Sequence, residues 1–220
     1  MEIVYMLGNN NSNNQITLNE KSEFDDVLEE MVSSNYGEHN ILVYPNKSTI
    51  RDIYSSYCKS SLGYNNNNNG NTVDEMVLLI PFYETVEGVK YTLRKRAGID
   101  TEKHEKDGSL AIVDSFEAYS RQPNDNTYTI VPLFKLLLQH AQIFGKKGIS
   151  VISDLGLFFY QFQQIEELIK YETSFPQKKD LKCKAFCSYR KDYFDMLTEN
   201  QKQSLLSHHA KNLVIVNAAQ

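Results

Sequence analysis

Short apolar runs alternate along this chain with longer segments in which apolar residues recur at helical spacing. The runs at residues 41–44, 77–80 and 149–153 are largely apolar, which is typical of strands buried on both faces of a parallel sheet. Strands that alternate with helices indicate a doubly wound architecture. We therefore predict an α/β fold, with a three-layer, mostly parallel sheet and helices on both faces.

The same pattern predicts where the elements lie. Strands are expected at residues 39–44, 76–80, 110–113, 149–153, 181–189 and 212–216. Helices are expected at residues 49–62, 85–96, 129–144, 162–172 and 192–208. Thr85 is expected to cap the second of these helices, and Gly98 to close it.

The chain divides into two regions of different character. Residues 1–35 are interpreted as an N-terminal segment, partly low-complexity, with a short helix within residues 22–32. Residues 36–220 are interpreted as the α/β domain. Asparagine-rich tracts at residues 9–14 and 65–71 bury no apolar surface, so we interpret them as surface insertions.

The charge and the cysteine content of the chain restrict the classes of protein to which it can belong. The 220 residues carry a formal net charge of −5, without the basic excess that direct nucleic-acid binding requires. No apolar run reaches the length of about 18 residues that a membrane span needs. The three cysteines and an N-terminus without a basic leader favour reduced thiols in the cytoplasm. We expect a cytoplasmic protein that contacts neither nucleic acid nor membranes directly.

Polar and aromatic residues follow several predicted strands at their carboxyl ends. This edge of an α/β sheet is where ligands bind, and aromatic side chains suit a flat organic ligand. We therefore expect a ligand site formed by Tyr44, Lys47, Ser48, Phe82, Tyr83, Glu84, Asp154 and Tyr189.

The loop that would hold phosphates is missing from this edge. Residues 45–49 contain Lys47 and Ser48, but neither glycine of a phosphate-binding loop is present, and the segment is too short for one. A helix start at this place is still able to hold one anion. The alternative is that Ser48 or Thr49 caps a helix and that Lys47 is solvated. No catalytic residue and no cofactor are predicted.

Three carboxylates, Glu84, Asp114 and Asp154, stand at or after the ends of predicted strands. Such groups bind a hard cation or act in acid–base chemistry. The alternative is that Asp114 and Asp154 cap the turns that follow them.

The histidines follow no metal-binding motif. His39 begins a predicted strand, His104 is expected in a solvated loop, and His208 and His209 end a helix. Adjacent side chains on a helix point about 100° apart, so His208 and His209 do not easily face one ion. We predict no metal site. Cys187, a candidate nucleophile, has no base that the sequence places beside it.

From residue 36 onward the chain resembles the MEDS domain, a sensory module named for methanogens, methylotrophs and the dichloromethane regulator. The matching stretches are GEHNILVY (37–44), MVLLIPFYE (76–84), AGID (97–100), GSLAIVD (108–114), GISVISD (148–154), AFCSY (185–189) and HH (208–209). The resemblance implies a RecA-like and KaiC-like core without an intact phosphate-binding loop. It also implies that histidines recur at the positions of His39 and of the 208–209 pair. In the family that the chain resembles, archaeal members often occur alone or beside DNA-binding or kinase modules.

The resemblance also implies a function. We expect a non-catalytic cytoplasmic sensory domain in signal transduction or transcriptional regulation, which binds a small organic molecule or a regulatory protein. One alternative is a degenerate KaiC-like nucleotide-binding protein whose residual ATPase activity uses Glu84 and Asp154. Another is a scaffold subunit that assembles into a homo-oligomer.

Overall fold

Seven strands form one sheet in the part of the chain that the computed structural model describes, which comprises residues 3–6, 24–63, 74–120, 130–160, 165–174 and 182–215. The strands are β1 Ile3–Met6, β2 His39–Tyr44, β3 Glu75–Ile80, β4 Leu110–Ile112, β5 Gly148–Asp154, β6 Cys183–Arg190 and β7 Lys211–Ile215. Their order across the sheet is β1-β7-β2-β6-β5-β3-β4.

Parallel pairing joins every neighbouring pair of strands from β7 to β4. The exception is β1, which pairs antiparallel with β7, with Ile3 opposite Ile215. The predicted parallel sheet is therefore confirmed. The sequence pattern did not predict β1, because four apolar residues beside an asparagine tract give too short a signal. This strand places part of the N-terminal segment at the sheet edge.

Helices cover both faces of the sheet. They are α1 Phe24–Ser33, α2 Lys47–Ser61, α3 Val86–Ala97, α4 Thr101–Lys106, α5 Ser115–Ala118, α6 Ile130–Ile143, α7 Gly156–Tyr160, α8 Ile165–Ser174, α9 Lys191–Asp195 and α10 Glu199–His208. Helices α1, α2 and α3 pack on one face, and α5 to α10 pack on the other. Two apolar cores therefore lie on either side of the sheet, and the three-layer architecture matches the prediction.

The caps explain where several helices begin and end. Thr85 accepts a hydrogen bond from the Gly88 amide at 3.1 Å, and Gly98 adopts a left-handed conformation at the end of α3, as predicted. The helix expected at residues 192–208 is instead two helices. The capping box that Thr198 forms with Gln201 starts α10 as a separate element, because it satisfies amides that a continuous helix would bond internally.

His104 differs from its prediction. The sequence placed it in a solvated loop, but it lies on α4 and is buried. Burial lowers the pKa of its imidazole below the usual value. The sequence did not indicate the burial of His104. Its neighbours are charged, and only one side of a short helix faces the core, so no apolar pattern surrounds it. None of the helices in the described ranges has the length and apolar character that a bilayer crossing needs.

Gly148 provides a test of the packing at the start of β5. A Cβ atom at this position would lie 2.5 Å from the Lys182 carbonyl oxygen and 2.7 Å from the Tyr36 ring. Gly148→Ala should therefore lower the free energy of unfolding by about 1–3 kcal/mol, as measured by urea denaturation. Gly88→Ala is the control, because the nearest atom there, at 3.3 Å, is a side-chain oxygen. Equal losses in the two variants would contradict the packing described here.

Candidate functional site

The connection from β2 to α2 occupies the place of the phosphate-binding loop in nucleotide-binding folds. It consists of Pro45 and Asn46 alone, since β2 ends at Tyr44 and α2 begins at Lys47. The Asn46 side chain accepts a hydrogen bond from the Thr49 amide at 3.1 Å. A phosphate-binding loop spans about eight residues and leaves its amides accessible. This connection is too short to wrap a triphosphate, and one of its helix-start amides is already occupied.

A cleft opens beside this connection, at the carboxyl edge of the sheet. It lies between the first turns of α2, the segment of residues 81–85 that follows β3, and the end of β5. Its free space is about 30 Å³, room for about one or two water molecules. Five of the eight residues predicted to bind ligand line it, namely Lys47, Phe82, Tyr83, Glu84 and Asp154. We call this space the edge cleft.

Tyr83 covers the edge cleft and contacts two cations. The Lys47 ammonium lies 4.8 Å from the centre of its ring, and the Arg190 guanidinium lies 4.9 Å away. The ring of Tyr193 stacks on Tyr83 at 6.3 Å, and Arg190 also lies 4.4 Å from the Tyr193 ring. Phe82 contacts Tyr83 edge-on at 4.6 Å. Cation–π and ring contacts of this kind each stabilise by about 0.5–1.5 kcal/mol, so together they hold the Tyr83 ring in place at the cleft.

Asp154 lies buried beneath this cover, at the end of β5. One of its oxygens accepts a hydrogen bond from the Tyr44 hydroxyl, and the other accepts one from the Gly156 amide at 2.8 Å. Burial raises the pKa of the carboxyl to about 6, although both hydrogen bonds oppose this shift. A side chain at Gly156 would overlap Phe82 and approach the Tyr83 hydroxyl to 2.9 Å. The absence of a Cβ atom there lets the cover pack directly over Asp154.

Glu84 is bound to α2. Its carboxylate pairs with the Arg51 guanidinium and accepts a hydrogen bond from the Tyr54 hydroxyl at 2.5 Å. Asp114 instead caps α5, where it accepts hydrogen bonds from the Phe116 and Glu117 amides. Glu84, Asp114 and Asp154 therefore each have their own partners. This arrangement matches the capping alternative for Asp114 and Asp154.

The remaining predicted site residues lie elsewhere. Tyr44 contacts Asp154 from below the cleft. Ser48 faces the Arg96 guanidinium on α3, 3.4 Å from it. Tyr189 packs on the opposite face of the sheet and donates a hydrogen bond to Glu172 at 2.5 Å. The structure therefore does not group Ser48 or Tyr189 with the edge cleft.

Sequence reasoning missed four residues at the edge cleft. Arg51 and Tyr54 stand three positions apart on α2, and Arg190 and Tyr193 stand at the start of α9. The spacing of Arg51 and Tyr54 gives one helix face a cation and a hydroxyl, which is a signal that the sequence does contain. The pairing of Arg190 with Tyr83 has no local signal, because it joins distant elements.

A second group of polar side chains is buried in the core on the face of Tyr189. It comprises His39 of β2, Glu172 of α8, Cys187 of β6 and His209, which follows α10, and we call it the buried cluster. One donor atom from each of the four lies within 4.8 Å of the others. His39 Nε2 is 2.9 Å from Cys187 Sγ and 3.1 Å from Glu172 Oε2, and His209 Nε2 is 3.5 Å from the same carboxylate oxygen.

Burial and contacts among its own members together determine the electrostatics of the buried cluster. Glu172 has no exposed surface. Burial by itself raises the pKa of its carboxyl, but contacts with His209 and His39 outweigh burial and hold the pKa well below its usual value. Burial lowers the pKa of His39 and raises that of the Cys187 thiol. The fold thus retains a carboxylate in its interior, which requires compensation by positive charge.

Comparison with known proteins identifies the fold. No protein-family model and no curated protein sequence matches the chain. A solved structure of a KaiC-like protein from the hyperthermophilic archaeon Pyrococcus horikoshii OT3 matches with a TM-score of 0.51 and 13% sequence identity, over 81% of this chain and 71% of that one. The chain has a KaiC-like fold. At this level of identity the match concerns architecture alone, so the RecA/KaiC-like core implied by the resemblance is confirmed and the MEDS assignment stays a prediction.

The KaiC-like architecture accounts for the position of the edge cleft, because ligands of open α/β sheets bind outside the carboxyl ends of the strands. The buried cluster has a different location. His39 is the first residue of β2, so the cluster lies toward the opposite end of that strand from Tyr44. The two sites are therefore separate in this KaiC-like fold.

The raised pKa of Asp154 predicts a pH dependence of stability. In the unfolded chain this carboxyl titrates near pH 4, and in the folded protein near pH 6. Between these values the folded state binds more protons, so this group makes stability fall as pH rises. Asp154→Asn removes the titrating group and keeps hydrogen-bonding atoms. Relative to the unsubstituted protein, the variant should gain up to about 3 kcal/mol between about pH 4 and pH 8 in urea denaturation.

Asp114→Asn provides the control, because Asp114 also caps a helix start but is only half-buried. An equal gain in that variant would show that burial of Asp154 is not the cause.

Proposed function

We propose that this chain is a cytoplasmic sensory domain of the MEDS type, which binds a small, flat organic molecule in the edge cleft without converting it. The observation that carries the proposal is the cover formed by Tyr83. An aromatic ring lies in contact with Lys47 and Arg190 at the ligand-binding edge of the sheet. A planar ligand that displaces this ring would take over the same two cation contacts.

The cleft favours a small ligand over a nucleotide. Its free space is only about 30 Å³, and the connection before α2 lacks the amides that wrap phosphates. Glu84, which nucleotide hydrolysis would require as a base, is neutralised by Arg51. Paired in this way, the carboxylate orients α2 against the segment of residues 81–85.

The ligand chemistry follows from the groups around Tyr83. The two cations attract the face of an unsaturated ring. Tyr44 and Asp154 beneath the cover form a buried hydrogen-bonded pair, so a ligand with a hydroxyl or an amine on its ring would find a polar partner there. An aromatic or unsaturated alcohol or amine combines both features.

Displacement of Tyr83 would also provide a signal. The segment that carries it leads directly into α3, and Glu84 in the same segment is bound to α2 by Arg51 and Tyr54. Arg96 on α3 pairs with Asp52 on α2. A shift of residues 81–85 would therefore alter the packing of α2 and α3, which belong to one outer layer of the domain. A regulatory protein partner that binds this layer would respond to the altered packing.

The first test of this proposal uses two sets of variants. A thermal-shift screen of unsaturated alcohols and amines should identify a ligand that raises the melting temperature. Tyr83→Ala should bind that ligand about tenfold more tightly in calorimetric titration, because about 1–2 kcal/mol of contacts no longer compete with it. In the Tyr83→Ala background, adding Lys47→Ala and Arg190→Ala should weaken binding about tenfold, because the ligand ring then loses both cations and no tyrosine ring competes for them.

The matched controls lie on the exposed side of α3. Lys95 approaches the Tyr91 ring to 5.8 Å, so Tyr91→Ala and Lys95→Ala remove a similar pair outside the cleft and should leave affinity unchanged. If affinity is the same with and without the Tyr83 ring, the ligand does not replace it and the proposed site is wrong. Binding of Mg-ATP with release of phosphate would favour the nucleotide alternative, and a ligand-independent oligomer in light scattering would favour the scaffold alternative.

A further inference from the structure

The buried cluster has the composition and geometry of a transition-metal site. We infer that His39, Glu172, Cys187 and His209 bind one zinc ion, each with a single donor atom. This site goes beyond the proposed sensory function, because it lies on the other face of the sheet from Tyr83 and shares no residue with the edge cleft.

The convergence of the donor atoms is the first argument. In a tetrahedral zinc site with bonds of about 2.0–2.3 Å, neighbouring donor atoms lie about 3.2–3.8 Å apart. The contacts of 2.9, 3.1 and 3.5 Å among His39, Cys187, Glu172 and His209, with a longest separation of 4.8 Å, surround this range. Small side-chain shifts are sufficient to bring all four atoms to bonding distance from one ion.

The orientation of His209 is the second argument. Its Nδ1 atom lies 2.6 Å from the Leu205 carbonyl oxygen, which only accepts, so Nδ1 carries the proton. In the neutral imidazole, Nε2 is then a lone-pair donor, and it points toward Glu172 Oε2. The same oxygen lies 3.1 Å from His39 Nε2, so two imidazole nitrogens converge on one carboxylate oxygen. A cation at this point would contact the lone pair of His209 and the carboxylate oxygen of Glu172 together.

The second oxygen of Glu172 is also fixed. Tyr189 donates a hydrogen bond to Oε1 at 2.5 Å, which leaves Oε2 toward the histidines. Zinc sites commonly have such outer partners, with a carbonyl on the free nitrogen of a histidine and a donor on the free oxygen of a carboxylate. Leu205 and Tyr189 supply both here, so Tyr189 acts as a positioning residue for the metal ligand.

A catalytic cysteine–histidine pair does not fit the same atoms. In such a pair, the acid that orients the histidine contacts the ring nitrogen opposite the one that faces the nucleophile. Here Cys187 and Glu172 both approach Nε2 of His39. One nitrogen that faces both a thiol and a carboxylate is typical of donors arranged around a common centre.

The donor set selects the metal and balances its charge. Thiolate and imidazole ligands favour zinc and related transition metals over magnesium or calcium. On binding, the Cys187 thiol releases one proton, and a divalent ion then joins one thiolate, one carboxylate and two neutral imidazoles. The centre is neutral overall, which removes the uncompensated carboxylate from the core. Four protein ligands leave no open position, as in structural zinc sites.

Cobalt provides the direct probe, because Co²⁺ replaces zinc in tetrahedral sites and absorbs visible light. Titration of the metal-free 220-residue chain with Co²⁺ should give intense visible bands and a thiolate charge-transfer band that saturate at one equivalent. One equivalent of Zn²⁺ should bleach both. Zinc should also raise the melting temperature, since binding to the folded state alone stabilises it.

The chain offers closely matched controls. His209→Ala should weaken metal binding more than about 100-fold, whereas His208→Ala, one position away, should leave it unchanged. Cys187→Ser should abolish the charge-transfer band, whereas Cys183→Ser on the same strand should retain it. Tyr189→Phe should weaken binding by about tenfold, since it removes only an outer partner.

Several outcomes would overturn the inference. The first is the absence of stoichiometric cobalt bands in the wild-type chain when circular dichroism shows that the chain is folded. Alternatively, bands would form but be lost equally in His208→Ala and His209→Ala. A charge-transfer band that persists in Cys187→Ser would assign the metal to other residues. Because the wild-type titration needs no substitution, a variant that fails to fold does not affect the decision.

Discussion

Both polar sites of this protein depend on the register of β2. This strand is hydrogen-bonded on both sides, to β7 and to β6, and its successive side chains point to opposite faces of the sheet. His39 at its amino end reaches the buried cluster on one face, and Tyr44 at its carboxyl end contacts Asp154 on the other. A slip of one residue would exchange the faces of all six side chains. Hydrogen bonds on both sides make such a slip unfavourable, so one strand fixes two separate chemical environments.

The sequence pattern predicted the parallel sheet and most helix positions, because burial imposes a periodicity on every long element. Short elements do not show this periodicity. Four apolar residues of β1, and the single buried side of α4 with His104, are too brief to show a period. The strand ends indicated that Tyr83 and Asp154 lie at the carboxyl edge of the sheet, where both line the edge cleft. Tyr189 shows the limit of that reasoning, since a residue near a strand end faces either side of the sheet according to its position in the alternation.

The buried cluster was beyond sequence reasoning for a different reason. Its members come from two strands, one helix and the residue after another helix, and no two of them are close enough in the chain to form a motif. The sequence shows histidines near both ends of the domain, but Glu172 in the sequence resembles an ordinary solvated glutamate. Only the fold brings it to a position without exposed surface. Contacts that join distant elements carry no local pattern, so they require coordinates.

Under the proposed function, the packing of Tyr83 at the edge cleft would set the sensitivity of the protein as well as its selectivity. A molecule that binds only the open form has an apparent dissociation constant equal to the intrinsic one divided by the open fraction. If one molecule in about a hundred is open, the apparent affinity falls about a hundredfold. Substitutions that loosen Phe82 or Tyr193 would then shift the threshold concentration without touching the bound molecule. Related chains would be able to adjust their response range through this aromatic packing while they keep the same recognition chemistry.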